Sequence, residues 1–205
     1  MMSKKPIIVF EGIEGSGKTF HIDNVSNYLK RKKIPYLKIR EPGGSRNSEI
    51  IRKLILNKKS SFNKNTDLLL YLSARSENIE LIKKNHKKKI ILIDRFIDST
   101  IAYQHYGMGV DYSIINKINQ FLLKGIKVNF TFLNIVNSKN MILRLKERKE
   151  LNRYDKFKMS FYDKVQKGFL KLMEKKKKNT FMIIDSNQSI NDNKKIVINK
   201  IDKLI

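Results

Sequence analysis

The chain has 205 residues with 44 Lys and Arg against 19 Asp and Glu, a formal net charge of +25, and 40% hydrophobic content. Its length suits one α/β domain spanning residues 1–205, and the absence of cysteine excludes a disulfide framework or a thiolate metal site. No apolar run is long enough to span a bilayer, and Met1-Met2-Ser3-Lys4-Lys5 lacks the apolar segment of a signal peptide, so a cytoplasmic protein is expected.

Ile7–Glu11 is a short apolar run that reads as a buried strand. It feeds Gly12-Ile13-Glu14-Gly15-Ser16-Gly17-Lys18-Thr19-Phe20, and a stripe of Ile22, Val25 and Leu29 marks the helix that follows. Strand, G-x-x-x-x-G-K-T loop and helix in that order make a phosphate-binding P-loop. The glycines let successive N–H groups point into one concavity, and the helix adds unpaired N–H groups and the positive end of its dipole. Gly12 through Phe20 are thus the expected ATP-binding segment. Lys18 should reach the β- and γ-phosphates, and the Thr19 hydroxyl should ligate Mg²⁺.

Further strands are expected at Tyr36–Arg40, Ile90–Asp94, Val128–Asn134 and Phe181–Asp185. Arg40-Glu41-Pro42-Gly43-Gly44-Ser45 leaves the second strand, with Arg52 on the next helix. A long helix from about Thr66 to Asn85 carries Tyr71 and Arg75, and the third strand runs into Asp94-Arg95-Phe96-Ile97-Asp98-Ser99-Thr100-Ile101-Ala102-Tyr103-Gln104. Stripes of Ile114, Ile118 and Phe121, then of Phe161, Val165, Phe169 and Leu172, mark two more helices, and Val197, Ile198, Ile201 and Leu204 mark the last. Between them, a polar stretch at about 149–158 reads as a short lid. The alternation predicts an α/β P-loop NTPase fold: a five-stranded parallel sheet flanked by helices.

The lysine runs at residues 30–33, 87–89 and 175–178 each fall between a helix and the next strand. In a parallel sheet those junctions lie at the amino ends of strands, away from ligands. Codon drift toward A/T accounts for such a solvated face, a weak polyanion contact being the alternative, and no specific nucleic-acid partner is expected. Asn199-Lys200-Ile201-Asp202 matches a guanine-reading motif but sits within the last helix, and no D-x-x-G accompanies it.

Taken in order, E-G-x-E-G-x-G-K-T, R-E-P-G-G, Y-x-x-A-R, D-R-F-x-x-S-x-x-A-Y-Q and the arginine-bearing lid resemble the thymidylate kinase family from Ile7 to about Leu172. That resemblance implies transfer of phosphate from ATP to dTMP, with Mg²⁺, in a homodimer. It implies that Arg95 and Arg52 clamp the dTMP phosphate, where surface ion pairs are the competing reading. Arg75 and Gln104 would read the thymine edge, Tyr71 would stack on the base, and Ser99 and Thr100 would lend hydroxyls. Tyr103 would crowd the sugar 2′ position, Glu14 would accept from the 3′-hydroxyl, and Glu41 would shape the acceptor side. Asp94 would order Mg²⁺ through water, a helix N-cap being the alternative. The chain has nine Arg among its 44 basic residues, and six of them (Arg52, Arg75, Arg95, Arg144, Arg148 and Arg153) lie in these segments. Bidentate binding of phosphate or a base edge is a task that Lys does poorly.

Some members of that family carry a catalytic arginine in the P-loop; here the position is Gly15, so the duty should pass to the lid, to Arg153 first and Arg148 second. Phe20 replaces a second Thr, and Met108 lies where many members have a basic residue. The alternatives are another nucleotide or nucleoside kinase of the same fold and a P-loop ATPase stimulated by nucleic acid.

Overall fold

The computed structural model describes residues 5–148 and 152–205. Five parallel strands, β1 (Ile7–Gly12), β2 (Tyr36–Arg40), β3 (Ile90–Asp94), β4 (Phe130–Ile135) and β5 (Phe181–Asp185), form one sheet in the order β2-β3-β1-β4-β5. Every position of the central β1 is buried. Its neighbours pair in register, Val9 with Ile93 and Phe10 with Phe132.

Because side chains alternate across the pleat, β1 feeds two cores. Ile8 and Phe10 meet Ile22, Val25 and Leu29 of α1 (Lys18–Arg31) and Val197 and Ile201 of α8 (Ile190–Asp202). On the other face, Ile7 and Val9 pack with Ile79 and Ile82 of α3 (Lys64–Asn85). Each fully buried aliphatic side chain of this kind contributes about 1.5–3 kcal/mol. The remaining helices are α2 (Arg46–Leu56), α4 (Ile97–Thr100), α5 (Tyr112–Leu122), α6 (Ser138–Lys146) and α7 (Met159–Glu174). α4 continues directly into π-helical turns at Ile101–Gly107, and a 3₁₀ turn spans Arg153–Lys156.

Three details depart from the expectations. β4 begins at Phe130 rather than Val128, because the Asn129 side chain accepts from the Ile7 N–H at 2.8 Å while its own N–H donates to the Ile7 carbonyl at 2.9 Å. α3 begins two residues before Thr66, because Asn63 Oδ1 caps the N–H groups of Asn65 and Thr66. The stripe on α5 is rotated: Ile114 and Phe121 are 50% and 67% exposed, whereas Ile115 and Asn119 face inward. The cause is polar, since Asn119 Oδ1 accepts from the buried Arg75 at 2.7 Å and turns the helix toward it. The lid expectation falls partly on residues 149–151, outside the described residues; the rest is ordered by an Asn152–Asp155 capping box.

Candidate active site

The loop after β1 turns beneath a close neighbour. Gly12 lies at φ 137°, and a Cβ there would sit 2.2 Å from the Asn134 carbonyl oxygen. Gly17, at φ 81°, is the N-cap of α1, which has neither a side-chain cap nor an acidic residue in its first turn. By contrast α2, α3, α5, α6 and α8 are capped by Ser45, Asn63, Asp111, Asn137 and Ser189. The open N–H groups of α1 therefore face the loop. Lys18 folds back over it, donating to the Ile13 carbonyl at 2.8 Å and Ser16 Oγ at 3.4 Å. Burial, then the Arg95 charge, push the Lys18 ammonium down to about 7, against the pull of Asp94, Glu14 and Glu11. The Ile13 side chain itself is core. At the mouth, Thr19 Oγ1 donates to Asp94 Oδ2 at 3.5 Å.

Three pockets adjoin one another along the carboxyl edge of the sheet, where parallel α/β folds bind ligands. The first, about 910 Å³ with part open to solvent, is lined by Gly15, Gly17, Lys18, Thr19, Phe20 and His21, by Arg144 and Arg148, and by Ser186, Gln188, Ile190 and Asn193. The second, about 900 Å³, shares Lys18, Thr19 and Arg148 with the first and adds Arg40, Arg52, Asp94 and Arg95. The third, about 310 Å³, lies deepest and is lined by Glu14, Glu41, Tyr71, Arg75, Arg95, Phe96, Ser99, Thr100, Tyr103 and Gln104. Of the ten residues expected on the acceptor side, nine line this inner pocket; Arg52 lines the middle one and donates to the Pro42 carbonyl at 2.6 Å.

The inner pocket is held by buried charges. Arg95 takes a left-handed conformation at φ 66°, which costs a non-glycine residue about 1–2 kcal/mol. In return its guanidinium donates to the Gly12 carbonyl at 2.8 Å and Glu14 at 2.9 Å and lies over the Tyr103 ring. Burial opposes the Arg95 charge, but Tyr103, Glu14, Asp94 and Glu11 hold it well above its ordinary value. Burial likewise opposes the Glu14 carboxylate, yet Arg95 and Lys18 hold its pKa below the usual range, and the Tyr103 hydroxyl donates to it. Arg75, 1% exposed, donates to Glu41 at 2.9 Å, Asn119 at 2.7 Å and Thr100 at 2.8 Å, with its plane over Phe96. Beneath the P-loop, Glu11 accepts from the N–H groups of Phe96 and Ser99 and from the Ser99 hydroxyl; burial and Asp98 push it up to about 7.

The two lid arginines go to different places. Arg148 lines both the first and middle pockets and pairs with Asp155 at 3.2 Å. Arg153 lines none of the three; it is ion-paired with buried Asp67 and packs over the Tyr154 and Phe62 rings. Of the two it is Arg148 that reaches the pockets at the P-loop, because Asp67 holds Arg153 away from them. Sequence reasoning also missed Asp67, Tyr154, His21 and the Ser186–Asn193 edge of the first pocket. The last was findable, since it leaves β5 at its carboxyl end; Arg144, one of the six arginines of the motif segments, grips the Gly15 and Ser186 carbonyls at 2.8 and 2.6 Å. Burial pushes His21 down to about 4, which leaves it neutral near pH 7.

A parallel sheet, a P-loop on its central strand and a second, arginine-lined pocket opening onto that loop define a P-loop phosphotransferase. A family model described as thymidylate kinase matches residues 10–197. Thymidylate kinases from Sulfurihydrogenibium sp. (strain YO3AOP1) and Thermosipho africanus are 39% and 38% identical, over 95% and 90% of this chain and 95% and 92% of theirs. The crystal structure of thymidylate kinase from Ehrlichia chaffeensis superposes with a TM-score of 0.78 at 32% identity, covering 98% of this chain and 99% of that one. The chain belongs to the thymidylate kinase family.

Proposed function

We propose that the chain transfers the γ-phosphoryl group of ATP to the 5′-phosphate of dTMP, giving dTDP and ADP. The observation that carries this reading is the inner pocket: a site lined by Arg75 and Gln104 that shares Glu14 and Arg95 with the middle pocket beside the P-loop. ATP would lie in the first pocket with its phosphates on the α1 N-terminus and Lys18. Arg52 and Arg95 would hold the dTMP phosphate in the middle pocket. In the inner pocket Arg75 and Gln104 would meet the base edge and Tyr71 its face, with Ser99, Thr100 and Tyr103 around the sugar and base. Glu14 would accept from the 3′-hydroxyl, and Glu41 would fix Arg75.

Phosphoryl transfer asks mainly for alignment of the acceptor oxygen with the γ-phosphorus and for neutralisation of the spreading charge. A bond forms from the dTMP phosphate oxygen to that phosphorus as the bond to the ADP oxygen breaks. Arg148, at the junction of donor and acceptor pockets, is the cation best placed to meet that charge, and a lid at about 149–158 would exclude water. Among the described residues no group of three or more His, Cys, Asp and Glu could hold a metal alone. The hard oxygen donors Thr19 and Asp94 instead fit Mg²⁺ held jointly by protein, waters and phosphates. Bound there, Mg²⁺ would neutralise phosphate charge.

A coupled ADP-release assay over a panel of nucleoside monophosphates tests the reading: dTMP should outcompete dCMP and dGMP, and equal use of all three would overturn it. We further read residues 1–205 as one kinase domain, cytoplasmic and homodimeric. Supporting the dimer, Ile50 and Leu54 of α2, Leu69 of α3 and Ile114 and Phe121 of α5 are at least half exposed. α3 carries no lysine between Lys64 and Lys83 in a chain of net charge +25, as a covered face requires. Sedimentation should find a dimer in the wild type and a monomer in Leu69→Asp/Phe121→Asp; a monomeric wild type refutes the assembly.

A further inference from the structure

Two buried side chains of the inner pocket keep hydrogen-bonding capacity that the protein does not use. Arg75 commits four of its five N–H donors to Glu41, Thr100 and Asn119, leaving one on Nη1. Gln104 is 1% exposed; its Nε2 donates to Asp67 Oδ2 at 3.2 Å, while its Oε1 has no partner among the described residues. A buried amide oxygen left bare points to a ligand that completes it.

An amide can turn over and exchange its donor and acceptor ends, so something must decide which end meets the ligand. Asp67 supplies that decision. It is 1% exposed, ion-paired with Arg153, and accepts from the Tyr154 hydroxyl at 2.6 Å. A carboxylate can only accept, so the NH₂ end of Gln104 must face it and the carbonyl end is left to the pocket.

We propose that Asp67 is a positioning residue that fixes Gln104 with its carbonyl toward the acceptor base, so that the pocket selects a base edge bearing a carbonyl beside a ring N–H. This rests on the reading of the inner pocket as the dTMP site. Arg75 then offers a donor next to the Gln104 acceptor. The O4/N3–H edge of thymine or uracil matches that pair, whereas cytosine, an amino group beside a bare ring nitrogen, opposes both. Asp67 does not line the pocket and acts only through Gln104.

The test measures kcat/KM for dTMP and dCMP in Asp67→Asn, Gln104→Met and the double variant. Asparagine keeps the shape of Asp67 but can turn a donor toward Gln104 and free its amide to flip. The dTMP/dCMP ratio should fall at least about tenfold in Asp67→Asn, through KM for dTMP, with KM for ATP unchanged. It should fall no further in the double variant than in Gln104→Met alone. Tyr154→Phe, which removes a different bond to Asp67, should leave the ratio alone whatever it does to kcat. An unchanged ratio in Asp67→Asn, or effects that multiply in the double variant, overturns the proposal. If Asp67→Asn does not fold, N3-methyl-dTMP and dTMP are titrated into the wild type: binding at least about tenfold weaker for the methylated base supports it, and equal binding refutes it. A wild type that uses neither dTMP nor dCMP sinks the reading of the pocket instead.

Discussion

The donor and acceptor sides of this cleft are built from different materials. The donor side is backbone: three glycines at positive φ, an uncapped helix N-terminus, and one lysine folded onto a carbonyl. The acceptor side is side chain: buried carboxylates Glu14 and Glu41 hold Arg95 and Arg75, and Asp67 holds Arg153. A backbone cradle suits phosphates common to any nucleotide, because N–H groups cannot tell bases apart. Paired side chains suit selection, because each leaves a chosen donor or acceptor for the substrate.

That contrast can be broken by substitution. Lys18→Ala removes the cationic side chain that the P-loop itself supplies, and turnover should fall by about 10³-fold or more with the fold intact. A variant with normal kcat and a native circular dichroism spectrum would dissociate the P-loop from the reaction. Next in size, Arg148→Ala should lower kcat by about 10²-fold or more with dTMP affinity little changed. Arg153→Ala should act on the acceptor side instead, costing about 2 kcal/mol of stability by stripping Asp67 of its charged partner, with only a few-fold loss in kcat. Should Arg153→Ala prove the more damaging to kcat, the catalytic assignment passes back to it.

The smallest effect sharpens the comparison by protons. Lys18 is held down to about 7 in the free protein, so it is mostly neutral at pH 8. Bound phosphates favour the ammonium, so ATP binding should take up close to one proton at pH 8, as calorimetry in buffers of different ionisation enthalpy would measure. Lys18→Met should abolish that uptake; its persistence would assign the proton elsewhere. The stability linkage has the opposite sign, because folding releases that proton: the depressed lysine makes the free protein gain stability as pH rises from about 7 toward 10.5. Glu11, raised to about 7, works the other way, and stability is lost between about 4.5 and 7 as it ionises.

Local pattern was enough for what depends on chain neighbours. Short runs rich in β-branched and aromatic residues placed β2, β3 and β5 to the residue, the inner β3 nearly buried throughout and the edge strands β2 and β5 only in part. The P-loop was legible because its function follows from consecutive φ angles and one helix start. The motif resemblance put Arg52, Arg75 and Arg95 in the acceptor set, and residue type supported it, since a lysine-rich chain keeps arginine where a planar fork is needed. Only the tertiary structure decided which arginine reaches which pocket, why α5 is rotated toward Arg75, and which way the Gln104 amide points. Each is settled by a partner more than 35 residues away in sequence (Asp67 for Arg153 and Gln104, Asn119 for Arg75). A buried polar group is oriented by whatever satisfies it, and that partner has no fixed spacing along the chain.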